Sequence, residues 1–500
     1  MRRICTCLAV VLICALLVIG LYASAQSGAR KAGDVTYEPF VLNTDAGDIV
    51  GELGRLTVPE NRQKPGSRLI QIAFVRFKST ATSPGAPIVS ISGGPGGAGI
   101  PNPKSGGKQA TLRALLQVSD VVYWDQRGAN RSEPTTECKQ VWDFPLKSVR
   151  TRQSFVDAAR RLSKACVADY QKAGADLAAY TSYASADDLM DVATALKADK
   201  VMTIGGSYGS HLSLAAIRRH GARILRSVIM AVEGPDDTIK LPSNEQKQLE
   251  KIAALVKKDP TMGPLVPDLT ALIKSVLDQV EARPVIATVP DPKTKQPVEV
   301  TISKFDVQRA IAETLGALPA LRKLPAAIYD MSKGDFSFAA ESVLNLHGKS
   351  IGSVMAAEID CASGISPERN ARIKKEAAET LLGDVIDLPG PDVCDAWVPN
   401  DLGPAFRGPL TSDVPALFIT GDIDGRTPTV NAELVRKGFT HQHLIEVENA
   451  AHGGYQNDPK VLDTIAEFLK TGIMPSITKG ALPALVFDKP TSLGASKTSR

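Results

Sequence analysis

The stretch from Lys200 to Ala216, KVMTIGGSYGSHLSLAA, constrains the fold of this chain more than any other. A β-branched apolar run ends at two glycines and a serine, and a helical pattern follows at once. A strand-to-helix turn of this kind is so tight that only small residues fit two positions before and after its central residue. Gly205, Ser207 and Gly209 occupy those three places. The pattern predicts an α/β sheet with Ser207 at the N-terminus of a helix, where free N–H groups favour developing negative charge.

Strands and helices alternate in two blocks that are separated by a long helical stretch, which predicts a mostly parallel sheet flanked by helices. The first block has predicted strands at 68–79, 120–128 and 226–235, and 86–97 reads as a buried strand entering a glycine-rich loop. A helix is predicted over 185–199, with Ser185 as its N-cap. The resulting domain prediction is a first core segment at 45–236, a helical cap at 237–410, a second core segment at 411–473 and a surface tail at 474–500.

The first 25 residues have the features of a signal peptide. Arg2 and Arg3 precede a long apolar run, and Ala23–Ala25 supplies small residues before Gln26, as at an A-x-A-like cleavage site. The apolar run is long for a signal peptide, so an uncleaved N-terminal anchor is the alternative. The mature protein is therefore predicted to be exported to the periplasm or the extracellular space.

The cysteines agree with export, since four of the seven lie beyond the predicted signal peptide. An even number of cysteines in an exported chain favours disulfide bonds. We expect Cys138–Cys166 and Cys361–Cys394, because each pair lies within one local segment. The alternative is four buried thiols.

The charge pattern argues against a nucleic-acid-binding protein. The net charge is only +4 and the charges are interspersed, which argues against binding to nucleic acid. The chain also lacks the His and Cys spacings that indicate a metal site, so no metal is expected.

A serine hydroxyl needs a base to take its proton and an acid to orient that base. The chain has six histidines, namely His211, His220, His347, His441, His443 and His452. His211 lies one turn beyond Ser207 on the same helix and should point away. His441 and His443 begin a strand, at the end of that strand far from the edge of the sheet where the active site is expected. His452 follows that strand, where catalytic groups collect, and is the predicted base.

The acid should follow the preceding strand, which ends in ITGDIDGRTP. Asp424 is the predicted acid because it lies further past the strand than Asp422, which remains the alternative. Two N–H donors are also needed to bind the reacting carbonyl oxygen. Tyr208, directly after the nucleophile, should supply one donor, and Gly94 of the SGGPGG loop the other, with Gly93 as the alternative.

Taken together, these motifs resemble the α/β-hydrolase superfamily, and within it the prolyl aminopeptidase and tripeptidyl aminopeptidase-like serine peptidases. The matching motifs are GGPG at 93–96, DQRG at 125–128, GGSYG at 205–209 and GDIDGRTP at 421–428. The chain departs from the family pattern at Ser92, where a histidine is common, and at Asn130, where a glycine is usual. The resemblance implies an α/β-hydrolase fold with a cap and a two-step acyl transfer through Ser207, His452 and Asp424, a reaction that needs no organic cofactor.

The resemblance also implies a peptide substrate with a free N-terminus. Holding its ammonium requires buried carboxylates, for which Glu233, Glu358 and Asp360 are candidates, although they could equally be solvated or packing residues. A secreted carboxylesterase or lipase-like hydrolase with the same triad is the alternative, and a non-catalytic binding protein on a hydrolase scaffold is a further one. For the carboxylesterase or lipase-like alternative, the substrate would be a small ester or amide. The oligomeric state is left open.

Overall fold

A computed structural model describes residues 30–104 and 109–491 of the chain. The predicted signal peptide, residues 1–25, and residues 492–500 of the predicted tail lie outside the described residues. Within the described ranges, no helix has the length and apolar character that crossing a membrane would require.

The described residues form twelve β-strands, two of which make a separate hairpin. The strands are β1 (Val35–Leu42), β2 (Ile49–Pro59), β3 (Leu69–Phe77), β4 (Ile88–Ile91), β5 (Val121–Trp124), β6 (Val201–Ser207), β7 (Ile224–Val232), β8 (Val285–Pro290), β9 (Pro297–Ile302), β10 (Ala416–Gly421), β11 (Gln442–Glu448) and β12 (Lys479–Ala481).

Helices cover both faces of the sheet and build most of the segment between β7 and β10. They are α1 (Ala110–Leu116), α2 (Arg152–Lys172), α3 (Ser182–Ala195), α4 (Tyr208–His220), α5 (Pro242–Lys258), α6 (Leu269–Ala282), α7 (Lys304–Thr314), α8 (Leu318–Leu321), α9 (Leu324–Ser332), α10 (Ser337–Leu346), α11 (Val354–Ser363), α12 (Pro367–Glu379), α13 (Gly403–Arg407), α14 (Thr429–Val435) and α15 (Pro459–Thr471).

Ten strands form one sheet in the order β1-β2-β3-β5-β4-β6-β7-β10-β11-β12. The pairs from β1 to β3 and the β3–β5 pair are antiparallel, whereas every pair from β5 across to β12 is parallel. The predicted mostly parallel α/β sheet is confirmed. Ser207 ends β6 near the middle of the sheet, and the strands β10 and β11 lie on the same side of it, with their carboxyl ends at the same edge.

The sheet is wider than the sequence predicted at both ends. β1 begins at Val35, ten positions before the predicted start of the core at residue 45, and it buries Phe40 and Leu42. Residues 474–491 do not form a simple surface tail, because β12 pairs with β11 and Phe487 is buried in the hydrophobic cluster of the cap. The N-cap of α3 is Thr181 rather than Ser185, since the Thr181 hydroxyl accepts the N–H of Ala184 and the helix begins at Ser182.

The segment predicted as a cap contains α5 to α13 and the β8–β9 hairpin, and most of its buried apolar residues belong to one hydrophobic cluster. Part of the predicted first core segment belongs to this cluster, since Trp142 and Phe155 of the α2 region stack within it at 4.5 Å between ring centroids. Both expected disulfide bonds are present. Cys138–Cys166 ties the 138 loop to α2, and Cys361–Cys394 ties α11 to the segment 390–396.

Candidate active site

Ser207 occupies the tight turn between β6 and α4 in a backbone conformation that non-glycine residues rarely adopt, with φ +57° and ψ −131°. The turn closes because its flanking residues have no side chains. A Cβ on Gly205 would lie 2.4 Å from the Gly209 carbonyl oxygen, and one on Gly209 would lie 2.3 Å from that of Ile91. The glycines thus permit the turn that displays the Ser207 hydroxyl.

His452 connects this hydroxyl to a buried carboxylate. Its Nε2 lies 2.8 Å from Ser207 Oγ, and its Nδ1 lies 2.9 Å from Asp424 Oδ2. His452 follows β11 and Asp424 follows β10, so neighbouring parallel strands deliver both groups to the edge where β6 presents Ser207. The alternative acid, Asp422, bonds through its main-chain N–H to Val447, and its Oδ1 is buried with no hydrogen-bond partner among the described residues.

Asp424 is held by more donors than the sequence indicated. Its Oδ1 accepts the main-chain N–H groups of Arg426 and Thr427, and its Oδ2 accepts the hydroxyls of Thr427 and Tyr455. Burial raises the pKa of Asp424, but His452 and the Thr427 donors outweigh it and hold that pKa below its usual value. The aspartate is therefore an anion that accepts from His452. Thr427 belongs to the GDIDGRTP motif, whereas nothing in the sequence pointed to Tyr455.

The glycine loop at 93–97 lies directly against Ser207. A Cβ on Gly93 would lie 3.1 Å from the Gly206 carbonyl oxygen and 3.3 Å from Ser207 Cβ. Gly94 has φ +120°, and the loop is closed by a 3.1 Å hydrogen bond from the Gly97 N–H to the Gly93 carbonyl. The predicted donors Tyr208 and Gly94 thus belong to the two segments that meet at Ser207.

The DQRG motif braces the loops around this site. Asp125 Oδ1 accepts the N–H groups of Gly99 and Ile100, at the end of the glycine loop. Arg127 is fully buried and forms a two-point ion pair with Asp188. These contacts give both motif residues a supporting role in the loops beside Ser207.

His211, the histidine nearest to Ser207 in sequence, is turned toward the cap. Its Nδ1 lies 3.1 Å from the Gly234 carbonyl oxygen, and its Nε2 lies 3.3 Å from Ser363 Oγ on α11. Burial lowers the pKa of His211, so the neutral ring serves as a buried contact between core and cap.

The three candidate carboxylates do not form one group. Glu233 follows β7 and accepts from Lys240 Nζ at 2.8 Å. Asp360 of α11 lies close enough to Glu233 and Lys240 for their charges to influence it, and burial is the main cause that raises the pKa of Asp360 to about 8. Glu358 lies apart from them, with Oε1 bonded to the Val398 N–H and Oε2 buried without a partner among the described residues.

The cap helix α11 roofs the glycine loop. A Cβ on Gly96 would lie 3.0 Å from Met355 Sδ and 3.6 Å from Ala356 Cβ. Beside the far end of α11 is a cavity of about 240 Å³, lined by Ile239, Asp360, Ile365, Pro391, Arg407 and the Cys361–Cys394 disulfide among others. No group of three or more metal-ligating side chains occurs in residues 30–104 and 109–491.

Two sequence models of protein families match the chain. The model for the alpha/beta hydrolase fold matches residues 86–279, which contain the glycine loop and Ser207. The model for the TAP-like proteins matches residues 387–480, which contain Asp424 and His452.

Curated relatives match a shorter part of the chain. A tripeptidyl aminopeptidase of Streptomyces lividans is 28% identical over 222 residues, which are 43% of this chain and 41% of the relative. The serine protease Hip1 of Mycobacterium bovis is 25% identical over 205 residues, 39% of this chain and 38% of that protein. The chain thus spans about two fifths of the length of these relatives.

Among solved structures, a proline iminopeptidase of Mycobacterium smegmatis aligns with 83% of this chain and 97% of its own, at 14% identity and a TM-score of 0.37. The family matches and the sheet together identify an α/β-hydrolase fold whose C-terminal part is similar to the TAP-like proteins.

Proposed function

We propose that this chain is an exported serine hydrolase, and that it acts as an aminopeptidase releasing residues or short peptides from peptide N-termini. One observation carries the proposal. A continuous hydrogen-bonded chain runs from Ser207 Oγ through His452 to the buried carboxylate of Asp424, with the serine on a strained turn at a helix N-terminus. That arrangement is the one that activates a serine for acyl transfer.

In the proposed mechanism, His452 Nε2 takes the proton from Ser207 Oγ as the oxygen attacks the substrate carbonyl. The N–H groups of Tyr208 and Gly94 stabilise the resulting oxyanion. His452 then returns the proton to the leaving amine or alcohol, which leaves an acyl group on Ser207. Water attacks that acyl-enzyme with His452 again as base, while Asp424 accepts from Nδ1–H, holds the tautomer and stabilises the imidazolium.

The aminopeptidase assignment rests on the relatives and on the carboxylates near the site. The matched relatives include proteins named tripeptidyl aminopeptidase. A substrate ammonium would need carboxylate partners, for which Glu233, Glu358 and Asp360 are proposed. Glu358 has a buried carboxyl oxygen with no hydrogen-bond partner among the described residues, whereas Glu233 already pairs with Lys240.

That last contact supports a second candidate function. Because Lys240 supplies an ammonium to Glu233 from within the chain, Glu233 needs no ammonium from the substrate, which suits substrates that have none, such as small esters. A secreted carboxylesterase with the same triad is therefore the competing proposal.

A matched substrate panel separates the two proposals. The panel comprises aminoacyl and tripeptidyl p-nitroanilides with a free or an acetylated N-terminus, together with p-nitrophenyl esters. An aminopeptidase should cleave the free-amine anilides at a kcat/KM at least about tenfold above the acetylated ones, since losing one ion pair costs about 1.4 kcal/mol or more. If the p-nitrophenyl esters are hydrolysed and none of the free-amine anilides is, the esterase proposal holds. Full activity of Ser207→Ala would overturn both.

Export is proposed from residues 1–25 and is supported by the two disulfide bonds, which persist in oxidising compartments. The test is expression of the whole chain followed by cell fractionation and mass spectrometry. We expect the protein outside the cytoplasm, with Gln26 at its N-terminus. Recovery from the cytoplasm with both cysteine pairs reduced would contradict export.

A further inference from the structure

The first helix of the cap crosses the loop that carries the proposed acid. This loop, residues 422–428, joins β10 to α14, and we name it the acid loop. Gln248 of α5 is buried, at 2% exposure, and its Nε2 donates to the Ile423 carbonyl at 2.7 Å and to the Leu315 carbonyl at 2.8 Å. One side-chain amide thus joins the core residue that precedes Asp424 to the cap turn that follows α7.

Gln248 also packs against Gly425, the residue that follows Asp424. A Cβ on Gly425 would lie 2.0 Å from Gln248 Oε1 and 2.8 Å from Gln248 Cβ, so only glycine fits beneath this side chain. Lys251 lies three positions further along α5, and its Nζ donates to the Asp422 carbonyl. Two cap side chains therefore hold the carbonyl groups of the two residues before Asp424.

The core holds the same two residues by their main-chain N–H groups. The Ile423 N–H donates to the Ala450 carbonyl at 3.2 Å, and the Asp422 N–H donates to the Val447 carbonyl at 3.1 Å. Ala450 lies in the loop that carries His452. The backbone immediately before Asp424 is thus fixed between the His452 loop on one side and the cap on the other.

We infer that Gln248 is a positioning residue for Asp424, so that seating of the cap on the core sets the geometry between the acid and His452. This inference rests on the proposed triad. The expected effect is on the chemical step rather than on substrate binding, because an error well below 1 Å in a catalytic group lowers the rate while the binding surface is unchanged.

Gln248→Met tests the inference, since methionine has a similar volume and removes both N–H donors. We expect kcat to fall about three- to tenfold, the equivalent of one or two hydrogen bonds, with KM changed less than about twofold. Gln308→Met is the matched control. Gln308 is also a cap glutamine that donates through Nε2 to a main-chain carbonyl, that of Leu381 at 2.8 Å, but it does not touch the acid loop. The control should keep the parent kcat.

A double-mutant cycle shows whether the effect passes through Asp424. In an Asp424→Asn background, with an activated ester as substrate, Gln248→Met should lower kcat by less than about twofold. The same fold loss in both backgrounds, or a change in KM alone, would overturn the inference. If thermal melts show that Gln248→Met does not fold, Lys251→Met takes its place in the cycle. Lys251→Met should lower kcat in the parent protein but not in the Asp424→Asn background. Undiminished activity of Ser207→Ala would instead refute the triad itself.

Discussion

The hydroxyl of Thr427 lies 2.7 Å from Asp424 Oδ2 and 3.0 Å from His452 Nδ1, so it adjoins both ends of the hydrogen bond that orients the proposed base. Its donation to Oδ2 leaves the carboxylate with less freedom to rotate away from the imidazole. The main-chain N–H of the same residue donates to Oδ1, which fixes the second carboxylate oxygen. Thr427 therefore holds both carboxylate oxygens of Asp424 by hydrogen bonds.

Replacing Thr427 by valine should lower kcat without unfolding the protein. The shape is kept, but the buried carboxylate loses one of its hydroxyl donors, a change of about 1–2 kcal/mol or about five- to thirtyfold in rate. Steady-state kinetics on the preferred substrate measure the effect. Thr427→Ser, which retains the hydroxyl, should recover most of kcat, and equal losses in the two variants would refute the hydrogen-bond explanation.

Asp125→Asn should loosen the glycine loop. An asparagine keeps one acceptor but brings an NH₂ group toward the main-chain N–H groups that Asp125 now accepts, those of Gly99, Ile100 and Arg131. We expect the free energy of unfolding to fall by about 1–3 kcal/mol, as measured by urea denaturation. Asp34→Asn is the control, because this exposed aspartate accepts a main-chain N–H from Lys31 at the surface. A similar small change in both variants would contradict a bracing role.

Removing the Cys361–Cys394 disulfide should destabilise the roof of the site. The bond closes a segment with a sequence separation of 33 residues and holds α11 to 390–396. The double substitution Cys361→Ser with Cys394→Ser should lower the free energy of unfolding by about 2–4 kcal/mol. Thermal unfolding of the parent and the variant, each with and without reductant, measures this loss of stability. A parent protein whose melting temperature is unchanged by reductant, with its thiols shown to be free, would contradict the prediction.

Short-range patterns in the sequence suffice to nominate the residues of the candidate site, but not the residues that surround it. Ser207 ends a strand, and Asp424 and His452 each follow one. Parallel strands bring such positions to one edge of the sheet, which is why these three residues could be nominated from the sequence. Gln248 could not be nominated this way. Its amphipathic helix indicates only a buried face, and its partner Ile423 lies 175 positions away. The strand β12 was missed because three residues are too few to show an alternating pattern.

The cap carboxylate Glu358 should make stability depend on pH. Burial raises the pKa of Glu358 from 4.5 to about 7. Between those two pH values the unfolded chain loses this proton while the folded chain keeps it, so the unfolded state binds fewer protons and stability falls as pH rises. The penalty is absent below about pH 4.5 and complete above about pH 7.

Glu358→Gln removes the titrating group and keeps an oxygen that can accept from the Val398 N–H. The free energy of unfolding of the variant, relative to the parent, should therefore increase by about 1–3 kcal/mol between pH 5 and pH 8. Urea denaturation at both pH values gives this difference. Asp360 and Asp387, whose pKa values are also raised, titrate in both proteins and so cancel from it. Glu341→Gln, at an exposed position on α10, should show no such increase. Parallel pH profiles of the parent and Glu358→Gln would contradict the raised pKa of Glu358.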